Sequence, residues 1–410
     1  MSLKADALQI TDAAIKASLP FENTKKILKE LNLTALLTVI AVGKAAVSMA
    51  MAAEEVLGEN IKTGLVVTKY AHSSGFHSPL FEIIEASHPV SDENSIFAAE
   101  RAMEIAKKLT KDDIVLFLVS GGGSALMEKS KVSPALQRDI TKKLLARGAE
   151  IEEINAVRKR LSLVKGGRLA ALCYPARVIT IALSDVLSND KGTIASGLTV
   201  KDDIPNDIVK AAVKKYLFDV SGSEIAALYE TENLMINDGG YYFAGDKSSL
   251  LAGAAKKARE LGYTPRIMSS SLTGEARSRA AEIAAAADNS DEKTAYLYAG
   301  ETTVTLKGKG KGGRNQEMAL SAAIALRGKK NIAFISVGSD GTDGPTDAAG
   351  GYADGETYEK ITAAGLSPEK ELENNNSYYA LKAAGDLIIT GATGTNVNDI
   401  TVLIKKTDIR

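Results

Sequence analysis

Four short segments of this sequence end an apolar run and at once supply residues that can bind or move a phosphate. TVIAV, Thr38 to Val42, runs into Gly43-Lys44. IVLFLV runs into Ser120-Gly121-Gly122-Gly123-Ser124. RVITIAL ends at Ser184-Asp185, with Asn189 and Asp190 close behind in SNDKG. FISV leads to GSDGTDG, which carries Asp340 and Asp343. In an open α/β sheet, ligands gather beyond the carboxyl ends of strands, so strand ends of this composition point to a polar site.

Each segment suggests a role. Glycines in SGGGS let backbone N–H groups approach an anion closely, and a helix start adds partial positive charge. A tight strand-to-helix turn would look the same. The loop lacks the lysine of a Walker A loop and the spacing of a dinucleotide fingerprint. Lys44 can supply the missing charge, neutralising a phosphoryl group or a carboxylate. Its alternative is a surface lysine on a first helical turn, where it opposes the helix dipole. A carboxylate at the end of a buried strand is costly unless used or hydrogen-bonded. Asp185 is therefore expected to take a proton from a substrate hydroxyl or to hold Mg²⁺, with Asp190 second for either role and a loop cap as the alternative.

The second half adds KGKGKGGRNQE, Lys307 to Glu317. Arg314 at a helix start suits an anion held in a bidentate grip, and Asn315 and Gln316 add neutral donors. Lys307 and Lys309 read as solvated lysines on a mobile hairpin. Asp340, Asp343 and Asp347 offer oxygen-only ligands suited to Mg²⁺, without the positional pattern of an EF-hand. Helix- and turn-capping aspartates are the alternative.

The elements that must position these residues alternate. Ala46, Met49, Ala50, Ala53 and Leu57 stripe a helix after TVIAV, and Ala98, Ala102, Ile105, Ala106 and Leu109 stripe another after FEIIEAS. GLVVT, FEIIEAS, DIVLFLV and RVITIAL read as strands buried on both faces, so a mostly parallel, doubly wound sheet is expected. Pro134 to Leu172 reads as one long helical region and Lys201 to Glu232 as polar and mixed. Later strands are expected at AYLYA, TTVTL, NIAFISV, DLIIT and ITVLI.

With 410 residues, two domains are expected, divided as 1–232 and 233–410. A net charge of −1 and the lack of a basic run with interleaved aromatics argue against nucleic acid. The single cysteine, Cys173, reads as an apolar filler, and His72, His77 and His88 lack metal-ligand spacing. No charged-then-apolar leader and no apolar run near ~20 residues is present, so a soluble, cytoplasmic protein without membrane partners is expected. The oligomeric state is open, a homo-oligomer included.

AVGKAA, EASHPVSDENS, LVSGGGSALM, INAVRKRLSLVKGGRLA, ALSDVLSNDKGTIASGLT, SLTGEAR, AGETTVTLKGKGKGGRNQEMAL, SVGSDGTDGPTDAAGGYAD and GATGTNVNDI follow one another along nearly the whole chain. In this order they resemble the glycerate 2-kinases with a carboxyl-terminal MOFRL domain. The resemblance implies a Rossmann-like N-terminal nucleotide-binding domain, a smaller α/β C-terminal domain and an active site in the cleft between them. It implies ATP-dependent phosphorylation of D-glycerate to 2-phosphoglycerate with Mg²⁺ or another divalent cation. Lys44, Asp185 and Arg314 match the family's catalytic residues, and Gly121 to Ser124 its nucleotide loop. Glu301 and Asn315 (substrate) and Asp340 and Asp343 (metal) match motif positions. Two rivals remain: an NAD(P)H-dependent hydroxypyruvate-type oxidoreductase, and a non-catalytic phosphosugar-binding module.

Overall fold

The computed structural model describes residues 2–228, 233–286 and 293–406. Two compact units emerge, neither continuous in sequence: Thr24–Leu183 with Asn189–Ala244, and Met1–Asn23 with Ser184–Ser188 and Gly245–Arg410. The cut expected after Glu232, itself outside the described residues, differs from this division for a physical reason. The helix Leu3–Ala17 packs on the helix Lys247–Glu260, where a Cβ on Gly253 would lie 2.5 Å from Ala17 Cβ. Asp6 of that first helix accepts from Tyr263 Oη at 2.7 Å and pairs with Lys406 at 3.1 Å.

The Thr24–Ala244 unit is built on a sheet ordered β3-β2-β1-β4-β5-β6, with β1 Leu37–Val42, β2 Ile61–Lys69, β3 Phe81–Ala86, β4 Ile114–Val119, β5 Arg177–Leu183 and β6 Asn237–Gly245. The pairs from β3 through β5 are all parallel. That order reverses direction between β1 and β4, the switch point where doubly wound sheets bind ligands. The stripe Ala46, Met49, Ala50, Ala53 and Leu57 is buried as expected. The long helical region after Pro134 is instead three helices, Pro134–Ala146, Ile151–Leu161 and Arg168–Leu172. Gly148, Gly166 and Gly167 interrupt it at positive φ. Within Lys201–Glu232, Asn206–Tyr216 is helical. Cys173 is buried, its thiol pushed up to about 12 by that burial, as suits a filler.

The other unit's sheet is ordered β11-β10-β9-β12-β8-β7, with β7 Thr264–Leu272, β8 Thr294–Gly300, β9 Ile332–Gly338, β10 Gly350–Asp354, β11 Leu387–Ile388 and β12 Asp399–Lys405. Only β7–β8 is parallel; β12 inserts antiparallel to both β8 and β9. Phe334, Leu403, Met318 and Ala322 are among the side chains of its core. TTVTL is not a strand: Thr303 makes one isolated bridge to Glu275. β6, β7 and β10 were not expected. In β10 a Cβ on Gly350 would lie 1.9 Å from Ser336 O, so close approach demands a residue that weakens the strand signal. Among the described residues, no helix is long and apolar enough to cross a membrane.

One buried ion pair braces the first unit. Lys165, with a wholly buried side chain, pairs with Glu128, which also accepts from Ser162 Oγ at 2.9 Å. Removing one partner strands a buried charge. Lys165→Met is expected to cost about 3–5 kcal/mol in denaturant titrations, with the Glu128→Leu double variant regaining most of it. Equal losses in the single and double variants would show that the pair does not brace the fold.

Candidate active site

The ends of β1 and β4 lie side by side, Val42 opposite Val119. The loops beyond them interlock. Lys44 N–H donates to Gly121 O at 2.9 Å, Ala45 N–H to Ser120 Oγ at 3.0 Å, and Ser120 N–H to Val42 O at 2.9 Å. Gly43 has φ +124°, and a Cβ there would lie 2.1 Å from Ser120 Oγ. Ser120 is 1% exposed, so its hydroxyl is a joint between the loops and not a ligand for nucleotide. Gly123 is likewise buried, its Cβ position 2.8 Å from Ala195 Cβ. Gly121 and Gly122 are half-buried. Gly122 has φ +87°, and a Cβ on it would lie 3.3 Å from Lys44 Cγ and 3.1 Å from His88 Cδ2. No larger residue fits there without crowding Lys44 and His88, which suits a loop that hugs an anion.

Ser124 Oγ lies 2.7 Å from Ser196 Oγ. The helix that follows the loop, Gly123–Leu126, is a single turn, so its dipole adds less than expected for a full helix. Asn189, Ala195 and Ser196 all have positive φ, a conformation uncommon for non-glycine residues. Asp190 caps that loop: its carboxylate accepts from Gly192 N–H at 3.2 Å and Thr193 Oγ at 2.5 Å. This is the loop cap anticipated as the alternative to taking a proton or holding Mg²⁺.

In the other unit, a cavity of about 280 Å³ is lined almost entirely by polar groups. It gathers Asp185, Glu301, Arg314 and Asp340, with Ser339, Asn396, Asn398 and Asp399. Asn398, at φ +73°, donates from Nδ2 to Asp185 O at 2.9 Å and so fixes the segment that carries Asp185. Arg314 donates from Nε and Nη2 to the two oxygens of Asp399, at 2.5 and 2.9 Å, and pairs through Nη1 with Glu301 at 2.9 Å. Three of its five N–H donors are engaged; the others remain for an anion.

Burial works against the Arg314 charge, but Asp399, with Glu301 and Asp343 beyond, outweighs it and holds the guanidinium pKa above its ordinary value. For Asp399 the balance differs. Burial, reinforced by the Asp343 charge, outweighs the Arg314 bonds and pushes the carboxyl up to about 6.

The RNQE run divides around its helix, Arg314–Ala325. Arg314 lines the cavity, while Asn315, Gln316 and Glu317 turn inward and are at most 2% exposed. Asn315 accepts from Ser336 Oγ at 2.6 Å and donates to Asp343 at 3.3 Å, so it positions the site and does not touch substrate. Asp343 caps the helix: it accepts from the backbone and side chain of Asn315 and from those of Gln316. Burial raises its pKa against those bonds. It is a cap and not an open metal ligand. Asp340 turns one oxygen onto Thr342 and stays at the cavity. Among the described residues, no group of three or more His, Cys, Asp or Glu is arranged to hold a metal ion.

Lys307 and Lys309 are exposed, but their loop is not a mobile hairpin. The N–H groups of Lys307, Gly308, Lys309 and Lys311 donate to the side-chain oxygens of Asn374, Asn375 and Asn376. Gly308 and Gly310 lie so close that a Cβ would sit 2.3 Å from Asn374 O and 2.5 Å from Asn376 Cβ. Lysine and glycine alternate because one side of the loop must lie flat on the asparagine run.

Two family models match: one described as a domain of unknown function (DUF4147) over residues 6–228, and the MOFRL family over residues 294–399. The chain is 44% identical over 98% of its length to D-glycerate 2-kinase of Thermotoga maritima, of which it covers 98%. It is 40% identical over 89% of its length to an Agrobacterium vitis protein named putative hydroxypyruvate reductase, covering 98% of that protein. A crystal structure of glycerate kinase from Thermotoga maritima matches with a TM-score of 0.94 at 44% identity, covering 98% of this chain and 99% of that one. Fold and matches together define a two-domain α/β kinase with a MOFRL C-terminal domain. The chain belongs to the glycerate 2-kinase family.

Asp399 sets a testable pH dependence. A carboxyl whose pKa is raised on folding binds its proton more tightly when folded, so its ionised form costs stability above about pH 6. That cost is relieved as the pH falls toward the ordinary value of 3.8. Wild type is therefore expected to gain stability over Asp399→Asn as the pH is lowered from about 7 to about 4.5 in denaturant titrations. Parallel curves would count against the raised value. Asp343→Ala removes the helix cap and is expected to cost about 2 kcal/mol or more by the same measurement.

Proposed function

We propose that the protein transfers the γ-phosphoryl group of ATP to the 2-hydroxyl of D-glycerate, giving 2-phosphoglycerate and ADP. The observation that carries this is Lys44 at the β1–β4 switch point. It lies against a glycine loop and, among the described residues, has no carboxylate partner. Phosphoryl transfer is mostly positioning and charge neutralisation, which such an arrangement offers.

In this reading Gly121 and Gly122 present backbone amides to nucleotide phosphate, and Lys44 neutralises the transferring group. Asp185 orients and deprotonates the glycerate hydroxyl. Arg314, held by Asp399 and Glu301, grips the glycerate carboxylate with its remaining donors. With Asp185 serving as the base, Asp340 offers the hard oxygen donors that suit Mg²⁺, which takes one or two carboxylates and fills the rest of its shell with phosphate and water. When bound, Mg²⁺ would offset charge on the β- and γ-phosphate oxygens.

The reductase reading fits poorly. A dinucleotide site of this strand order keeps an acidic residue near the end of β2 for the ribose. Here β2 ends in Lys69, and the β1 turn has no GxGxxG. A phosphosugar-binding module would not need Asp185 or the acidic loop around Asp340 beside Arg314.

Incubation with ATP, Mg²⁺ and D-glycerate is expected to give 2-phosphoglycerate by phosphorus NMR. 3-Phosphoglycerate would reverse the substrate pose, and no product would refute the kinase reading. Lys44→Ala is expected to lower kcat about 10²–10³-fold. Near-normal turnover in that variant would remove Lys44 from the mechanism.

A further inference from the structure

We propose that Lys69 and His88, together with Lys44 and the amides of Gly121 and Gly122, form a subsite for a dianionic terminal phosphate. The proposal rests on the kinase reading and names side chains that would hold the phosphate.

The geometry comes from strand register. Val42 of β1 is level with Val67 of β2 and with Val119 of β4. Lys44, Lys69 and Gly121 each lie two residues beyond that line, along the carboxyl edge of three adjacent strands. Lys69 is level with Ala86 of β3, two residues before His88. The imidazole closes the row: the Cβ position of Gly122 lies 3.3 Å from His88 Nε2 and 3.3 Å from Lys44 Cγ.

The row has no internal counter-charge. Among the described residues, the side chains of Lys44, Lys69 and His88 have no hydrogen-bond or ion-pair partner. The acids on the neighbouring strand and helix start are already engaged. Glu85 accepts from Ser73, and Asp92 accepts from Tyr70 and Ser95. Burial, then the charges of Lys44 and Lys69, hold the His88 pKa below its ordinary value. A phosphate dianion would supply the missing charge and favour the imidazolium, so binding would take up a proton and tighten as the pH falls. The phosphate could belong to the nucleotide or to the phosphorylated product, since both end in the same group.

Three histidines in the chain make the test direct. Imidazole C–H signals of the wild-type protein are followed by NMR against pH, alone and with ADP, 2-phosphoglycerate or D-glycerate; His88→Gln identifies the His88 signal. The His88 midpoint is expected to rise by about one unit or more with ADP or with 2-phosphoglycerate, and whichever ligand moves it is the source of the phosphate. By calorimetry with that ligand near pH 6, His88→Gln and Lys69→Met are each expected to weaken binding about tenfold. The His88→Gln loss shrinks by about pH 8.5 while that of Lys69→Met persists. A midpoint moved by glycerate alone would make this a carboxylate site and overturn the proposal. So would an unmoved midpoint with normal binding in both variants. If ATP is turned over with glycerate while His88 stays silent, only the subsite falls; if ATP is neither bound nor used, the kinase reading falls and takes the subsite with it.

Discussion

Two loops meet at Gly43 and Ser120, and the placing of Lys44 depends on that meeting. A Cβ on Gly43 would lie 2.1 Å from the Ser120 hydroxyl, so only glycine lets β1 and β4 turn outward side by side. The same hydroxyl then accepts the Ala45 N–H, and Lys44 is pinned by its own N–H to Gly121 O. Lys44 thus needs no side-chain support to stand beside the glycine loop. The backbone places it, and its charge stays available.

The other unit reaches a similar end by different means. Arg314 is placed by side chains: Asp399 grips it in bidentate fashion and Glu301 flanks it. Beneath, Asp343 caps the helix from which Arg314 projects, and Asn315 links that cap to Ser336 in the core. One unit positions its cation with glycine and backbone, the other with a layered set of carboxylates and amides.

Much of this was legible in the sequence. Strands buried on both faces read as unbroken apolar runs, so β1, β4, β5, β9 and β12 could be located and the residues beyond them named. The clamp on Arg314 was not legible, because Asp399 lies 85 positions away at the start of a strand. Asn315 and Asp343 sat in the right motifs but face inward, and a motif does not tell which side of a helix each residue takes. His88 was passed over because it lacks metal-ligand spacing, although its neighbours are two lysines and a glycine loop. β6 and β10 were hidden by the glycines that make them fit.

The helix Leu3–Ala17 has a consequence for how the protein is made. It leaves the ribosome long before its packing partner, which begins at Lys247. At ordinary synthesis rates the interval is on the order of 10–50 s. Throughout that time Ala7, Ile10 and Ala14, fully buried in the finished fold, have nothing to pack against. The intervening unit can collapse around its parallel sheet meanwhile, but the second cannot close until both Leu3–Ala17 and Asp399–Lys405 exist. Biogenesis is therefore ordered, with the Thr24–Ala244 unit able to form first and the early helix waiting for its partner.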